Sequence, residues 1–338
     1  MIVTPLTELF GLGAPIVQAG MAFAGMTPDL AIAVSDAGGL GSVAIGPMPV
    51  PVMQMLMGGV RQGTTRPFHV NFITIYTEEA HIDALCADPD PVAAASFHWG
   101  HPPKGWIDRL HAAGIKVMEQ LGSVGAAKIA ADDGVDVIVA QGTEAGGHNY
   151  GTLPIFALVP AVVDAAGGVP VLASGGVSDG RGLAAALCLG AAGVWVGSRF
   201  VASVESSAHA DYKARLCAAQ GTDTVLSPLF GRHHPHFNPM RILKNRVVAE
   251  FEGREDEVPA DNSGEPVVGR MTLGGIETEL RRFGNLVPMT DATGDFEELP
   301  LLCGQGLGGI ASVEPAAKIV AEMAAEAEAI LGRDWTAA

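Results

Sequence analysis

Between residues 15 and 196 the chain repeats one unit: a short apolar or β-branched run, then an alanine-rich segment of helical period. Eight such runs are Pro15–Gln18, Gly41–Ile45, Phe68–Asn71, Ala93–Phe97, Lys116–Glu119, Val135–Ala140, Pro170–Ala173 and Gly193–Val196. Their spacing of roughly 20 to 35 residues is that of a strand plus a crossover helix. Such alternation builds a parallel α/β sheet, and eight units are the number that closes a (β/α)8 TIM barrel. A doubly wound open sheet shares the periodicity and stays open on this ground. No run is followed by Gly-x-Gly-x-x-Gly, so a dinucleotide-binding fold is disfavoured.

The segments Thr27–Ala37, Val124–Asp133, Phe156–Ala166 and Gly180–Leu189 read as helices. Gly38–Gly39 and Gly167–Gly168 follow two of them and read as C-caps needing positive φ, not as nucleotide loops. After Phe200 the pattern changes. Residues 201–305 carry more charge, His-Pro and Asn-Pro breaks and the run Glu252–Glu257, and are expected to form a helical lid or substrate domain. Val313–Leu331 reads as an amphipathic helix that packs back on the barrel. The expected division is a discontinuous barrel, 1–200 and 306–338, with the lid 201–305 inserted.

Composition narrows the function classes. A net charge of −17 argues against nucleic acid and against an anionic membrane surface as partners. The uncharged stretch Ala37–Val60 is broken by Pro47, Pro49, Pro51 and several glycines, and reads as strand, loop and short helix, not as a membrane span. The N-terminus lacks a signal-peptide pattern. Cys86, Cys188, Cys217 and Cys303 are far apart, which fits reduced thiols in a cytoplasmic protein. No metal is expected, because His233, His234 and His236 sit in a proline-broken loop with no nearby carboxylate or cysteine.

Chemistry is expected where the strands end, since that barrel face carries active sites. The sixth run leads into Gln141-Gly142-Thr143-Glu144-Ala145-Gly146-Gly147-His148, a glycine-rich loop delivering an imidazole, the side chain that titrates nearest neutrality. The seventh and eighth runs end in Ser174-Gly175-Gly176 and Gly197-Ser198. Bare backbone N–H groups and hydroxyls on these two adjacent strand ends suit a phosphate. The first run ends in Ala19-Gly20-Met21-Ala22, small enough to admit a flat ring. Asn71 and Gln120 end the third and fifth runs with amides that both donate and accept. His98 follows the fourth run and could line the pocket or serve only structure. Lys244 could meet an anionic substrate or cap the lid.

Taken together, Pro-Ile-Val-Gln-Ala-Gly-Met, Ala-Val-Ser-x-Ala-Gly-Gly-Leu-Gly (33–41), Phe-His-Val-Asn (68–71), Gln-Gly-Thr-Glu-Ala-Gly-Gly-His, Ala-Ser-Gly-Gly-Val-x-Asp-Gly-Arg-Gly and Gly-Ser-Arg-Phe resemble the nitronate monooxygenase family. That family, formerly 2-nitropropane dioxygenase, also includes FMN-dependent enoyl-acyl-carrier-protein reductases and NADH:quinone reductases. The resemblance runs from about residue 10 to 205 and returns in Cys303-Gly304-Gln305-Gly306-Leu307-Gly308. It implies a TIM barrel holding one FMN, with substrate above the flavin under a lid. By position it makes Ser174, Gly175, Gly176, Gly197 and Ser198 the phosphate contacts, and sets Gly20, Met21 and Ala22 against the isoalloxazine. Asn71, Gln120, Gln141 and Gly146 join them around the ring, and His148 becomes the catalytic histidine.

Two positions depart from the pattern. Gln120 stands where some relatives carry lysine, and an amide stabilises anionic reduced flavin less than an ammonium does. Gly20 stands where many nitronate oxidisers have the proline of Ala-Pro-Met. The expected activity is FMN-dependent oxidation of alkyl nitronates, and of nitroalkanes, with dioxygen to a carbonyl compound and nitrite. The alternative is an NAD(P)H-dependent FMN reductase of a quinone or an enoyl thioester. Expected partners are the small-molecule substrate, dioxygen and, in the alternative, NAD(P)H; monomer and homodimer both stay open.

Overall fold

A computed structural model of the chain describes residues 2–21, 23–233 and 239–334. One sheet holds eight parallel strands: β1 (Ile16–Gln18), β2 (Gly41–Ala44), β3 (Phe68–Ile73), β4 (Val92–His98), β5 (Lys116–Leu121), β6 (Val137–Gln141) and, after the two-residue strand β7 (Gly147–His148) that stands outside it, β8 (Val171–Ser174) and β9 (Gly193–Val196). Their order is β1-β9-β8-β6-β5-β4-β3-β2. The two edges then meet: Leu40, just before β2, donates to the Ile16 carbonyl at 3.0 Å and accepts from the Gln18 N–H at 2.9 Å. The closed sheet is a (β/α)8 barrel, and the open-sheet alternative falls.

Around it run α1 (Pro5–Phe10), α2 (Asp29–Asp36), α3 (Val50–Gly63), α4 (Glu79–Ala87), α5 (Lys104–Ala112), α6 (Val124–Asp132), α7 (Ile155–Ala165), α8 (Gly180–Cys188) and α9 (Ser198–Val201). The ends of these helices are legible in local chemistry. Ser123 and Asp179 cap α6 and α8 by accepting from the N–H groups of Ala126 and Gly182. Gly38 and Gly168 follow α2 and α7 at φ +90° and +96°, a conformation glycine takes without a Cβ clash.

Strand alternation divides the core in two. Val43, Phe68, Val70, Phe72, Phe97 and Val194 point outward into the layer shared with the helices. Val17, Ala94, Met118, Val137, Val139, Leu172 and Trp195 point inward, with Leu6 and Phe10 of α1 in the same cluster. Further along the same inward rows lie polar residues, Asn71, His98, Gln120, Gln141 and Ser174, at the C-terminal strand ends. The barrel interior is thus apolar below and polar at its C-terminal rim.

Residues 201–305 are helical only in part. They contain α10 (Ala210–Ala218) and α11 (Arg246–Phe251), together with β10 (Thr224–Ser227), β11 (Met240–Leu243), β12 (Val267–Leu273), β13 (Ile276–Arg281) and β14 (Thr293–Gly294). These strands form two three-stranded sheets, β10-β11-β7 and β13-β12-β14. A charged, short-patterned strand gains its stability from partners elsewhere in the chain, which local periodicity does not register. The β12–β13 hairpin did carry a signal: Gly274 and Gly275 link Leu273 to Ile276 with both φ positive, at +59° and +82°. Finally α12 (Ala316–Leu331) returns to the barrel and buries Ile319, Val320, Met323 and Ala327 in the outer core layer. No helix among the described residues is long and apolar enough to cross a membrane.

Candidate active site

A cavity of about 370 Å³ opens at the C-terminal end of the barrel, within the range of small-molecule and cofactor sites. Gly20, Met21, Asn71, Gln120, Gln141, Gly146, His148, Ser174, Gly175, Gly176, Gly197 and Ser198 all line it. The remaining candidate, Ala22, lies outside the described residues. His98 lines the cavity as well, which resolves its two readings. Lys244 is not among the lining residues: its Nζ donates to the Thr222 carbonyl at 2.9 Å and so ties backbone within residues 201–305.

The loop from Gln141 to His148 is fixed by its own polar groups. The Gln141 amide donates to the His148 carbonyl at 3.1 Å. Asn149, fully buried, donates to the Gly142 and Ala145 carbonyls at 2.9 and 3.3 Å and accepts from the Gly151 N–H. Glu144 accepts from the Ile155 N–H at the start of α7, so this carboxylate caps a helix. From residues 201–305, β11 pairs Met240 with His148 and Arg241 with Gly147. The Arg241 guanidinium, its affinity for a proton lowered by burial, donates to the Thr143 carbonyl at 2.9 Å. His148 therefore belongs to a strand that exists only because β11 supplies its partner.

The histidine stands among rings. Trp99 packs edge-on against His148 at 6.0 Å, Tyr150 at 4.7 Å and His98 at 5.4 Å between centroids. Trp99 itself holds φ +65°, an uncommon conformation for a bulky residue. His98 sits 3.1 Å from the Gln120 amide nitrogen, and burial lowers its pKa to about 4, so it is neutral and accepts at Nδ1. No Lys or Arg lines the cavity among the described residues.

The β8 and β9 ends form a cradle of bare backbone. Gly175 and Gly176 hold φ +120° and +69°, and a Cβ built on Gly197 finds only Ala19 and Met21, at 3.6 and 3.9 Å. The Ser198 hydroxyl accepts from the Gly304 N–H at 2.8 Å, which leaves its own proton to donate toward the cavity. The segment 303–309 thereby becomes part of the site. A Cβ at Gly146 would stand 2.4 Å from the Cys303 carbonyl carbon, one at Gly304 2.7 Å from the Glu144 carbonyl oxygen, and one at Gly306 2.6 Å from the Gly176 carbonyl oxygen. Three loops touch backbone to backbone. Cys303 lies buried beneath them, its thiol pushed well above the usual range by burial.

Sequence reasoning missed Trp195, Gly304 and Gly306, and also Asn285, Leu286 and Val287, all of which line the cavity. The glycine run 304–309 was a usable sign; nothing local marks 285–287. His234 and His236 lie outside the described residues, and among the described residues no group of three His, Cys, Asp or Glu side chains could hold a metal ion.

A family model described as nitronate monooxygenase matches residues 3–88 and 76–326. The chain is 39% identical over 250 residues to a (3aS,4S,5R,7aS)-5-hydroxy-7a-methyl-1-oxo-octahydro-1H-indene-4-carboxyl-CoA dehydrogenase of Rhodococcus jostii, covering 74% of this chain and 68% of that protein. It is 36% identical to a nitronate monooxygenase of Pseudomonas aeruginosa over 65% of this chain and 75% of that one. Among solved structures, FabK from Thermotoga maritima superposes with a TM-score of 0.82 at 33% identity, covering 98% of each chain.

Proposed function

Because the chain belongs to the nitronate monooxygenase family, we propose that it is an FMN-dependent oxidoreductase converting alkyl nitronates, and nitroalkanes through them, with dioxygen to a carbonyl compound and nitrite. The observation that carries this reading is that one cavity joins the His148 loop to the backbone cradle at the ends of β8 and β9. The residues present suit FMN. Ser174, Gly175, Gly176, Gly197 and Ser198 would hold the phosphate, Ser198 donating to it while accepting from the Gly304 N–H. Gly20 and Met21 would lie along the ring, with Asn71, Gln120, Gln141 and Gly146 at its edges. Bound there, FMN supplies the one-electron and dioxygen chemistry. His148 would donate a hydrogen bond to the nitro oxygens of a nitronate, or take the α-proton of a neutral nitroalkane. The barrel, 1–200 and 306–338, would hold the cofactor, and 201–305 would supply β11 behind His148 and the 285–287 wall. The working partners would be the small-molecule substrate and dioxygen.

A second reading, NAD(P)H-dependent reduction of a quinone or an enoyl thioester, is favoured by two observations. The likeness to FabK covers 98% of the chain, and among the described residues no Lys or Arg lines the cavity to meet a nitronate anion. The two readings separate when the holoprotein is mixed anaerobically with NADH or NADPH and, separately, with propionate-3-nitronate. Flavin bleaching by the nitronate is expected. Fast bleaching by the pyridine nucleotide with no response to nitronate would overturn the first reading in favour of the second.

A further inference from the structure

Beneath the cavity a single file of buried polar groups crosses three strands. Gln18 lies on β1, His69 and Asn71 on β3, and Ser96 on β4. The His69 Nε2 is 2.9 Å from the Gln18 carbonyl oxygen, and its Nδ1 is 2.9 Å from the Ser96 hydroxyl. The Asn71 amide nitrogen is 2.9 Å from that same hydroxyl. Gln18 is itself locked, donating to the Ser42 carbonyl at 3.1 Å and accepting from the Ser42 N–H at 3.0 Å.

The directions of these bonds follow from elementary chemistry. Gln18 offers His69 a carbonyl, which only accepts, so Nε2 carries a proton. His69 is wholly buried and has no carboxylate among these partners; burial lowers its pKa to about 4 even though the Gln18 carbonyl pulls the other way. The ring is therefore neutral, and Nδ1 must accept. Ser96 then donates its proton to Nδ1, in preference to the Val70 carbonyl at 3.5 Å. Its oxygen is left to accept, and Asn71 must turn its NH2 toward it. The Asn71 carbonyl oxygen consequently faces the opposite way, into the space beside Gly20 on the cavity wall.

We propose that His69 is a positioning residue: acting through Ser96, it fixes the Asn71 amide so that the cavity presents an acceptor at this point, selecting a ligand edge that bears an N–H donor. Without the imidazole, the Ser96 proton is free to turn toward Asn71, and the amide can rotate to present NH2 instead. The link from His69 to the ligand rests on the flavin reading above, because N3–H is the one N–H donor of an oxidised isoalloxazine. The direction of the relay does not rest on it.

Two measurements test the proposal. The first is the histidine 15N spectrum of the purified protein at neutral pH, with His69 identified by its loss in His69→Phe. A neutral ring protonated at Nε2 is expected; a proton on Nδ1, or an imidazolium, overturns the relay whatever the cavity binds. The second is the ratio of affinities for FMN and for FMN methylated at N3, in the wild type, His69→Phe and Ser96→Ala. The wild type should prefer FMN, and both variants should lose about fivefold of that preference, the worth of one neutral hydrogen bond. A merely structural role would weaken both flavins alike, and an unchanged ratio overturns the proposal. Ser96→Ala keeps the second arm decisive if the aromatic variant does not fold. Failure of the wild type to bind either flavin overturns the flavin reading and the selection claim, while the 15N spectrum still decides the relay.

Discussion

At the scale of single residues, the amide at 71 and the missing side chain at 20 form a matched pair. A Cβ on Gly20 would stand 2.0 Å from the Asn71 Oδ1 and 2.1 Å from its Cγ. The amide cannot yield by swinging freely, because its nitrogen is held by Ser96. Gly20→Ala is therefore expected to expel Asn71 from the cavity wall and to lower FMN affinity by at least about fivefold, one neutral hydrogen bond. Fluorescence titration measures this, and unchanged affinity would show that the wall tolerates the methyl group. Both positions could be picked from the sequence, since each ends a strand on the catalytic face. Their dependence on each other could not, because it arises when the end of β1 and Ser96 of β4 are brought to opposite sides of one amide on β3. The same holds for Ser198, legible as a polar strand-end residue, whose bond from the distant Gly304 N–H was not.

Elements inherit their reliability from how much of their stability is local. Capped, alanine-rich helices such as α6 and α8 fell close to their expected bounds because Ser123, Asp179 and the following glycines act within a few residues. Strands β7, β10 and β11 have no such autonomy and escaped notice. The link between β4 and β5 shows a third case, tuned by pH. His101, just past β4, bridges Glu119 of β5 at 2.8 Å and Asp133, after α6, at 2.9 Å. Burial draws its pKa down, but the two carboxylates outweigh this and the net shift is above 6.5. That contribution to stability is complete below pH 6.5 and is lost as pH rises through the raised value. Glu119, raised by burial, acts with the same sign at its own lower range. Thermal melts should show Tm falling from pH 6.5 upward, and the fall should flatten in His101→Gln. An equally steep fall in that variant would remove the bridge as its cause.

Over the whole molecule, the barrel is completed by a helix that arrives last in the chain. α12 lies on α8 so closely that a Cβ at Gly180 would stand 2.5 Å from that of Glu326, whose carboxylate accepts from the Gly180 N–H at 2.7 Å. Met323 is buried in this contact. Met323→Ala is expected to cost about 2–5 kcal/mol, the range for truncating a packed core side chain, and urea unfolding reads it directly. A loss below about 0.5 kcal/mol, the scale of a surface substitution, would show that α12 adheres without being integral. The eightfold alternation made the barrel readable, and an amphipathic pattern made the returning helix readable. The mixed composition of the insertion was not, since its two sheets are assembled from distant segments. The glycine seam joining residues 146, 175, 304 and 306 has a consequence for redesign. Any new side chain on that floor must displace two other loops at once, so mutational drift and directed evolution alike are steered upward. Residues 285–287, which line another part of the cavity, are where it can be reshaped without dismantling it.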